Sequence, residues 1–108
     1  MLLDKSIEYF TAFSEKNIDK LRNMFSNNVS LRDWEIEATG IDHVVEANSK
    51  IFNSVETITV DPIKLYQDEK TVIAEIEITV NEVEKILVTD ILEYDEDNKI
   101  KSIRAYKG

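Results

Sequence analysis

The chain has 108 residues, the size of one ordinary domain, and its 22 acidic against 13 basic side chains give a formal charge of −9. That balance argues against nucleic acid, where affinity is built from Lys and Arg neutralising phosphates, and against an anionic membrane surface. With no cysteine and a single histidine, the chain has no material for a disulfide framework, a thiolate zinc site, a thiol nucleophile or a His-rich metal site.

The 43% apolar content suffices for a core that buries roughly two-thirds of the unfolded chain's surface. No apolar run is long enough to span a bilayer, and Met1-Leu2-Leu3-Asp4-Lys5 lacks a signal-peptide pattern. The expectation is an intracellular, cytoplasmic protein. Two glycines and one proline leave nothing that reads as a linker, so residues 1–108 are expected to form a single domain.

From about Leu2 to Ser14 the spacing predicts a helix, with Leu3, Ile7, Phe10 and Ser14 on one face and Tyr9 and Phe13 as a neighbouring pair. Asn17 can cap a second, shorter helix, with Asp19 in its first turn and Ile18, Leu21, Met24 and Phe25 as its stripe. Ser26-Asn27-Asn28 reads as a turn. Val29 to about Ala38 reads as extended, with Val29, Leu31 and Asp33 on one face. Thr39-Gly40 breaks that strand, and a third helix follows from Ile41 to Asn53.

Beyond it the period changes from helical to alternating. Val55 to Tyr66 is a long strand interrupted at Asp61-Pro62, where a missing N–H marks a bulge or an edge. After a turn at residues 67–70, Thr71 to Asn81 alternates with Val72, Ala74, Ile76, Ile78 and Val80 on one side. Val83 to Tyr94 and Lys99 to Tyr106 complete a meander. Three helices cannot cover both faces of such a sheet, so they pack on one. The predicted class is α+β: three N-terminal helices on a curved, cone-shaped antiparallel sheet whose interior is the default ligand site.

Three polar residues sit in apolar company. Asp90 lies between Val88 and Leu92 on a face shared with Ile86, where burial would raise its pKa and make it a hydrogen-bond donor. Asp33 shares a face with Val29 and Leu31, and Tyr9 lies beside the first helix's stripe. Each also has a structural explanation. Tyr9 can be a core tyrosine with its hydroxyl at the rim. Asp33 can lie at a solvated strand end, and Asp90 can pair with Arg104 or Lys85 across strands. His43 reads as a surface or rim residue, and Trp34 as either a pocket wall or an interface residue. No phosphate loop, nucleophile elbow or metal-ligand spacing is present.

The stretches Ile7 to Ser14, Met24 to Trp34, Gly40 and Asp90 to Gly108 together resemble the nuclear transport factor 2-like superfamily, which includes SnoaL-like cyclases and the ketosteroid isomerases. The resemblance covers nearly the whole chain and implies an α+β cone, usually a homodimer through the outer face of the sheet. By motif position it is nearer the ketosteroid isomerases, where Tyr9 falls on the oxyanion-hole tyrosine, Asp33 on the general base and Asp90 on the protonated oxyanion-hole aspartate. The implied reaction is cofactor-free and metal-free proton transfer beside the carbonyl of a small apolar compound. Phe13, Trp34, Asn48 and Phe52 would line the substrate pocket. The chain departs from the isomerase pattern in a shorter segment between Asp33 and Gly40, in Trp34 where a proline usually stands, and in Asn48 at about the position of a second pocket tyrosine. A SnoaL-like cyclase, an epoxide hydrolase and a non-catalytic ligand-binding or dimeric association domain remain open beside the isomerase.

Overall fold

In the computed structural model, which describes residues 1–108, the first apolar stretch forms helix α1 (Leu2–Ser14). Its buried face is Leu2, Ser6, Tyr9, Phe10 and Ala12, whereas Leu3 and Ile7 remain exposed. The helix is therefore rotated from the stripe its aliphatic residues predict. The aromatic pair carries more apolar area inward than Leu3 and Ile7 would. Ser6 tolerates burial because its Oγ donates to the Leu2 carbonyl at 2.9 Å and bonds the Tyr94 hydroxyl at 2.8 Å. Ser14 Oγ in turn donates to the Phe10 carbonyl and accepts from the Val60 N–H at 2.8 Å, tying the end of the helix to the sheet.

Helix α2 (Ile18–Met24) starts at Asn17, whose side chain accepts from the Lys20 N–H, as the sequence predicts. It ends one residue earlier than its apolar stripe. Phe25 is already extended and begins β1 (Phe25–Arg32), so Ser26-Asn27-Asn28 is strand and not turn. The pairing register of β1 slips between Phe25 and Ser30, which gives this polar stretch its turn-like composition within a strand.

The extended segment predicted through Ala38 is two strands. Asp33 Oδ1 accepts from the N–H groups of Glu35 and Ile36 at 2.7 and 2.6 Å, and the Asp33 N–H donates to the Ile36 carbonyl. This Asx turn folds the chain back so that β2 (Glu37–Thr39) pairs antiparallel with β1. Gly40, at φ +94°, then admits the entry into α3 (Ile41–Ser54), which buries Val44, Val45, Asn48 and Phe52. Lys16, itself at φ 55°, sends its ammonium to the carbonyls of Phe52, Val55 and Glu56 and so caps the end of α3.

The remaining chain is the meander β3 (Ile58–Asp68), β4 (Thr71–Val80), β5 (Glu84–Tyr94) and β6 (Ile100–Lys107). The sheet order is β2-β1-β6-β5-β4-β3, unclosed, with β2 and β3 at its edges. All pairs are antiparallel except β1 with β6, so the sheet is mixed. A parallel pair needs a long crossover, and here α3 and four strands lie between its two members. Register slips at Pro62/Lys64 and at Glu93/Tyr94 bend the sheet, and the predicted break at Pro62 is both a bulge and an edge position. The inner face of the bend carries the alternating residues Val72, Ala74 and Ile76 of β4 and Val88 and Leu92 of β5, all buried. With α1 against β3 and α3 against β1, the α+β cone is complete. No helix is long and apolar enough to cross a membrane.

Candidate functional site

The interior of the cone holds a cavity of about 380 Å³, walled mainly by apolar side chains. Its floor is the inner face of β4, β5 and β6, including Ile76, Val88 and Ile103. The turn between β1 and β2 forms its mouth. Tyr9, Asp33 and Asp90, which come from three separate segments of sequence, all line it.

Asp90 is 8% exposed on β5, and its cross-strand neighbours are Ala74 and Ala105, whose small side chains leave room around the carboxyl. Neither cation available to it across the strands is its partner. Arg104 is engaged by Glu93, and Lys85 lies 4.0 Å from Glu77. Loss of water raises the Asp90 pKa to about 7, with a further push from the negative charge of Asp33. Near neutrality a substantial share of the molecules therefore carry Asp90 as a neutral O–H donor.

Tyr9 is 4% exposed, and its ring is tilted against Phe10, Phe13 and Phe25 at centroid distances of 5.5, 6.1 and 6.2 Å. Burial, and then the carboxylate of Asp90, hold its hydroxyl well above the ordinary tyrosine range, so it stays a donor throughout physiological pH. Asp33 is half-buried at the mouth. One carboxylate oxygen is fixed by the two backbone N–H groups of the turn, which holds the other in a defined direction without a salt bridge. That is a usable arrangement for a base.

The expected pocket residues divide. Trp34 is 41% exposed at the mouth, with the Lys107 ammonium 5.9 Å from its ring centroid, and both residues line the cavity. Phe13 lines the wall, and so does Asn48, which is 2% exposed and whose Nδ2 has no hydrogen-bond partner. Phe52 does not reach the cavity. It packs edge-on behind Phe13 at 4.8 Å, because its place on α3 faces the α1 corner. His43 is exposed, with Nδ1 3.0 Å from the Thr39 carbonyl in a shallow groove beside α3. Sequence reasoning missed three charged residues of the mouth: Glu35, Glu84 and Lys107. For Lys107 a signal existed, since it continues the inward alternation of Ile103 and Ala105.

Comparison with known proteins agrees with this architecture. The SnoaL-like domain family profile matches residues 7–103. Among solved structures, the epoxide hydrolase/cyclase-like enzyme SalBIII, with a role in pyran ring formation in the polyether salinomycin, is 23% identical, with 99% of this chain and 90% of that one covered at a TM-score of 0.85. An NTF2-like protein of unknown function from Cytophaga hutchinsonii is 14% identical, with 100% and 90% coverage and a TM-score of 0.85. A candidate ketosteroid isomerase from Kribbella flavida is 12% identical, with 95% and 74% coverage and a TM-score of 0.80. At these identities the likeness is one of fold. No curated protein matches in sequence.

Proposed function

The chain belongs to the SnoaL-like domain family, and on that premise we propose that its cavity binds a small, largely apolar carbonyl compound and moves a proton beside the carbonyl. The observation that carries this reading is Asp90: a carboxyl in an apolar floor, with no cation beside it, in the same cavity as Tyr9 and Asp33. A lone buried carboxylate is costly to keep in a structural role. A neutral one is a strong donor aimed at a developing charge.

In the proposed step, the free oxygen of the Asp33 carboxylate takes a proton from the carbon next to the carbonyl. The electron pair moves onto the carbonyl oxygen as an enolate, or a dienolate where a double bond is conjugated. Tyr9 and neutral Asp90 donate hydrogen bonds to that oxygen, and protonated Asp33 returns its proton to a different carbon. Atoms and charge balance within the substrate and one carboxyl group, so no cofactor takes part.

The test is an ultraviolet assay of double-bond migration in β,γ-unsaturated ketones, run on the native chain and on Asp33→Asn. Asparagine keeps the oxygen that accepts from Glu35 and Ile36, so the turn survives while the base is removed. A loss of about 10²–10⁴-fold is expected. Equal turnover by both chains would sink the assignment of the base. Turnover should also fall above about pH 7 as Asp90 loses its proton.

A second reading draws on the likeness to SalBIII. A neutral acid at Asp90 and a carboxylate at Asp33 could also open an epoxide and close a ring. Product analysis with a hydroxy-epoxide separates the two, because cyclisation yields a cyclic ether without moving any double bond. We further propose that the outer sheet face, where Tyr66, Ile73, Leu87 and Tyr106 are exposed, pairs two copies of the chain. Sedimentation of native chain against Leu87→Glu tests this, and identical monomer profiles would refute it.

A further inference from the structure

Among the fully buried side-chain nitrogen and oxygen atoms of this fold, one has no hydrogen-bond partner. Ser6 bonds Leu2 and Tyr94, and Ser26 Oγ donates to Asn28. Asn48 stands on the buried stripe of α3 between Val44, Val45 and Phe52, and its Nδ2 has no partner. An amide donor stripped of water and left unpaired is destabilising, and such groups in folded proteins are rare. A hydrophobic residue of similar size would fill the same place at no such cost. Asn48 also lines the cavity, so its missing acceptor can come from whatever the cavity binds.

A carbonyl oxygen has two lone pairs, and one that accepts from two donors has none left for a third. In the reading given above, such an oxygen is held by Tyr9 on α1 and Asp90 on β5. Asn48 approaches from a third element, the wall formed by α3. We propose that Asn48 is a second recognition point, donating from Nδ2 to a second oxygen of the ligand, so that the ligand class is an apolar ring compound with two oxygens (a carbonyl and a separate hydroxyl or second carbonyl). This rests on the Tyr9 and Asp90 reading and deepens it. Asn48 acts as a specificity residue, selecting dioxygenated compounds over monoketones.

The probes are β-naphthol, whose single oxygen on a planar ring imitates an enolate oxygen, and a panel of naphthalenediols carrying the second hydroxyl at different positions of the far ring. Their affinities are measured by fluorescence titration on the native chain, on Asn48→Leu and on Tyr9→Phe. At least one diol should bind the native chain roughly tenfold tighter than β-naphthol, the yield of one added hydrogen bond to a buried donor. In Asn48→Leu the ratio of diol to β-naphthol affinity should fall to about one, whatever the change in β-naphthol binding itself. No diol tighter than β-naphthol on the native chain, or an advantage that persists in Asn48→Leu, overturns the proposal. Failure of the underlying reading looks different: β-naphthol would bind native chain and Tyr9→Phe alike. Should Asn48→Leu not fold, the native chain decides. The Asn48 side-chain amide resonances should shift with the tight diol and not with β-naphthol, and equal shifts refute the assignment.

Discussion

Two aspartates line one cavity, and the regions that hold them are built on different principles. The floor around Asp90 is regular sheet packed by Ile76, Val88 and Leu92, and it controls its carboxyl by excluding water. The mouth around Asp33 is a turn, and it controls its carboxyl by two backbone N–H groups. One environment sets the proton of an acid, and the other sets its direction. A cavity that needs both a donor and a base can obtain them from the same residue type.

The contrast can be broken, most strongly at the floor. Asp90 is neutral in both folded and unfolded chains below about pH 4, so its contribution to stability is at its best there. As pH rises the unfolded chain ionises first, and stability falls until the folded carboxyl titrates near pH 7. Across that window the loss is on the order of 4 kcal/mol. Asp90→Asn should therefore be more stable than native chain by up to about that amount at pH 8, and equal to it at pH 4, in urea melts. Equal stability at both pH values would mean that the floor does not exclude water.

Next in size is Ile76→Ala, which leaves a void in the floor and should cost about 2–4 kcal/mol in the same melts. At the mouth, Asp33→Ala removes the acceptor for two N–H groups and should cost only about 1 kcal/mol, while Asp33→Asn should cost almost nothing. Asp33→Asn also sharpens the comparison across the cavity. It deletes the negative charge that adds to the raised pKa of Asp90, so the Asp90 carboxyl carbon should titrate at lower pH by NMR; an unmoved titration would uncouple the two carboxyls. The smallest effect belongs to Trp34→Ala, within about 0.5 kcal/mol, because the ring is only half-buried and its contact with Lys107 is exposed.

The same division explains what could be read from the sequence. Floor residues announce themselves by alternation: Val72, Ala74, Ile76, Val88 and Leu92 were legible because a strand with one wet face has period two. Asp90 stood out as an interruption of that pattern. The mouth has no period. The turn at Asp33 is made by side-chain to backbone bonds over three residues, and in a run of Arg-Asp-Trp-Glu-Ile-Glu the strand pattern masks it. The buried face of α1 is hidden from the sequence for another reason. Leu3 and Ile7 are spaced as well as Ser6 and Tyr9 are, and the observed face is the better one because it buries the aromatic rings and because the distant Tyr94 supplies a partner for the Ser6 hydroxyl. The parallel pairing of β1 with β6 depends on the whole chain and leaves no local mark.

The slip at Pro62 bends the sheet. It also bears on how the protein behaves in a crowded solution. Strand β3 is an edge, eleven residues long, and an unbroken edge of that length is a template on which other chains can add strands. Pro62 removes one N–H from the row, the bulge after it throws the next residues out of line, and Asp61 and Lys64 put charge on either side. The kink that opens the cone thus also guards its longest border against aggregation.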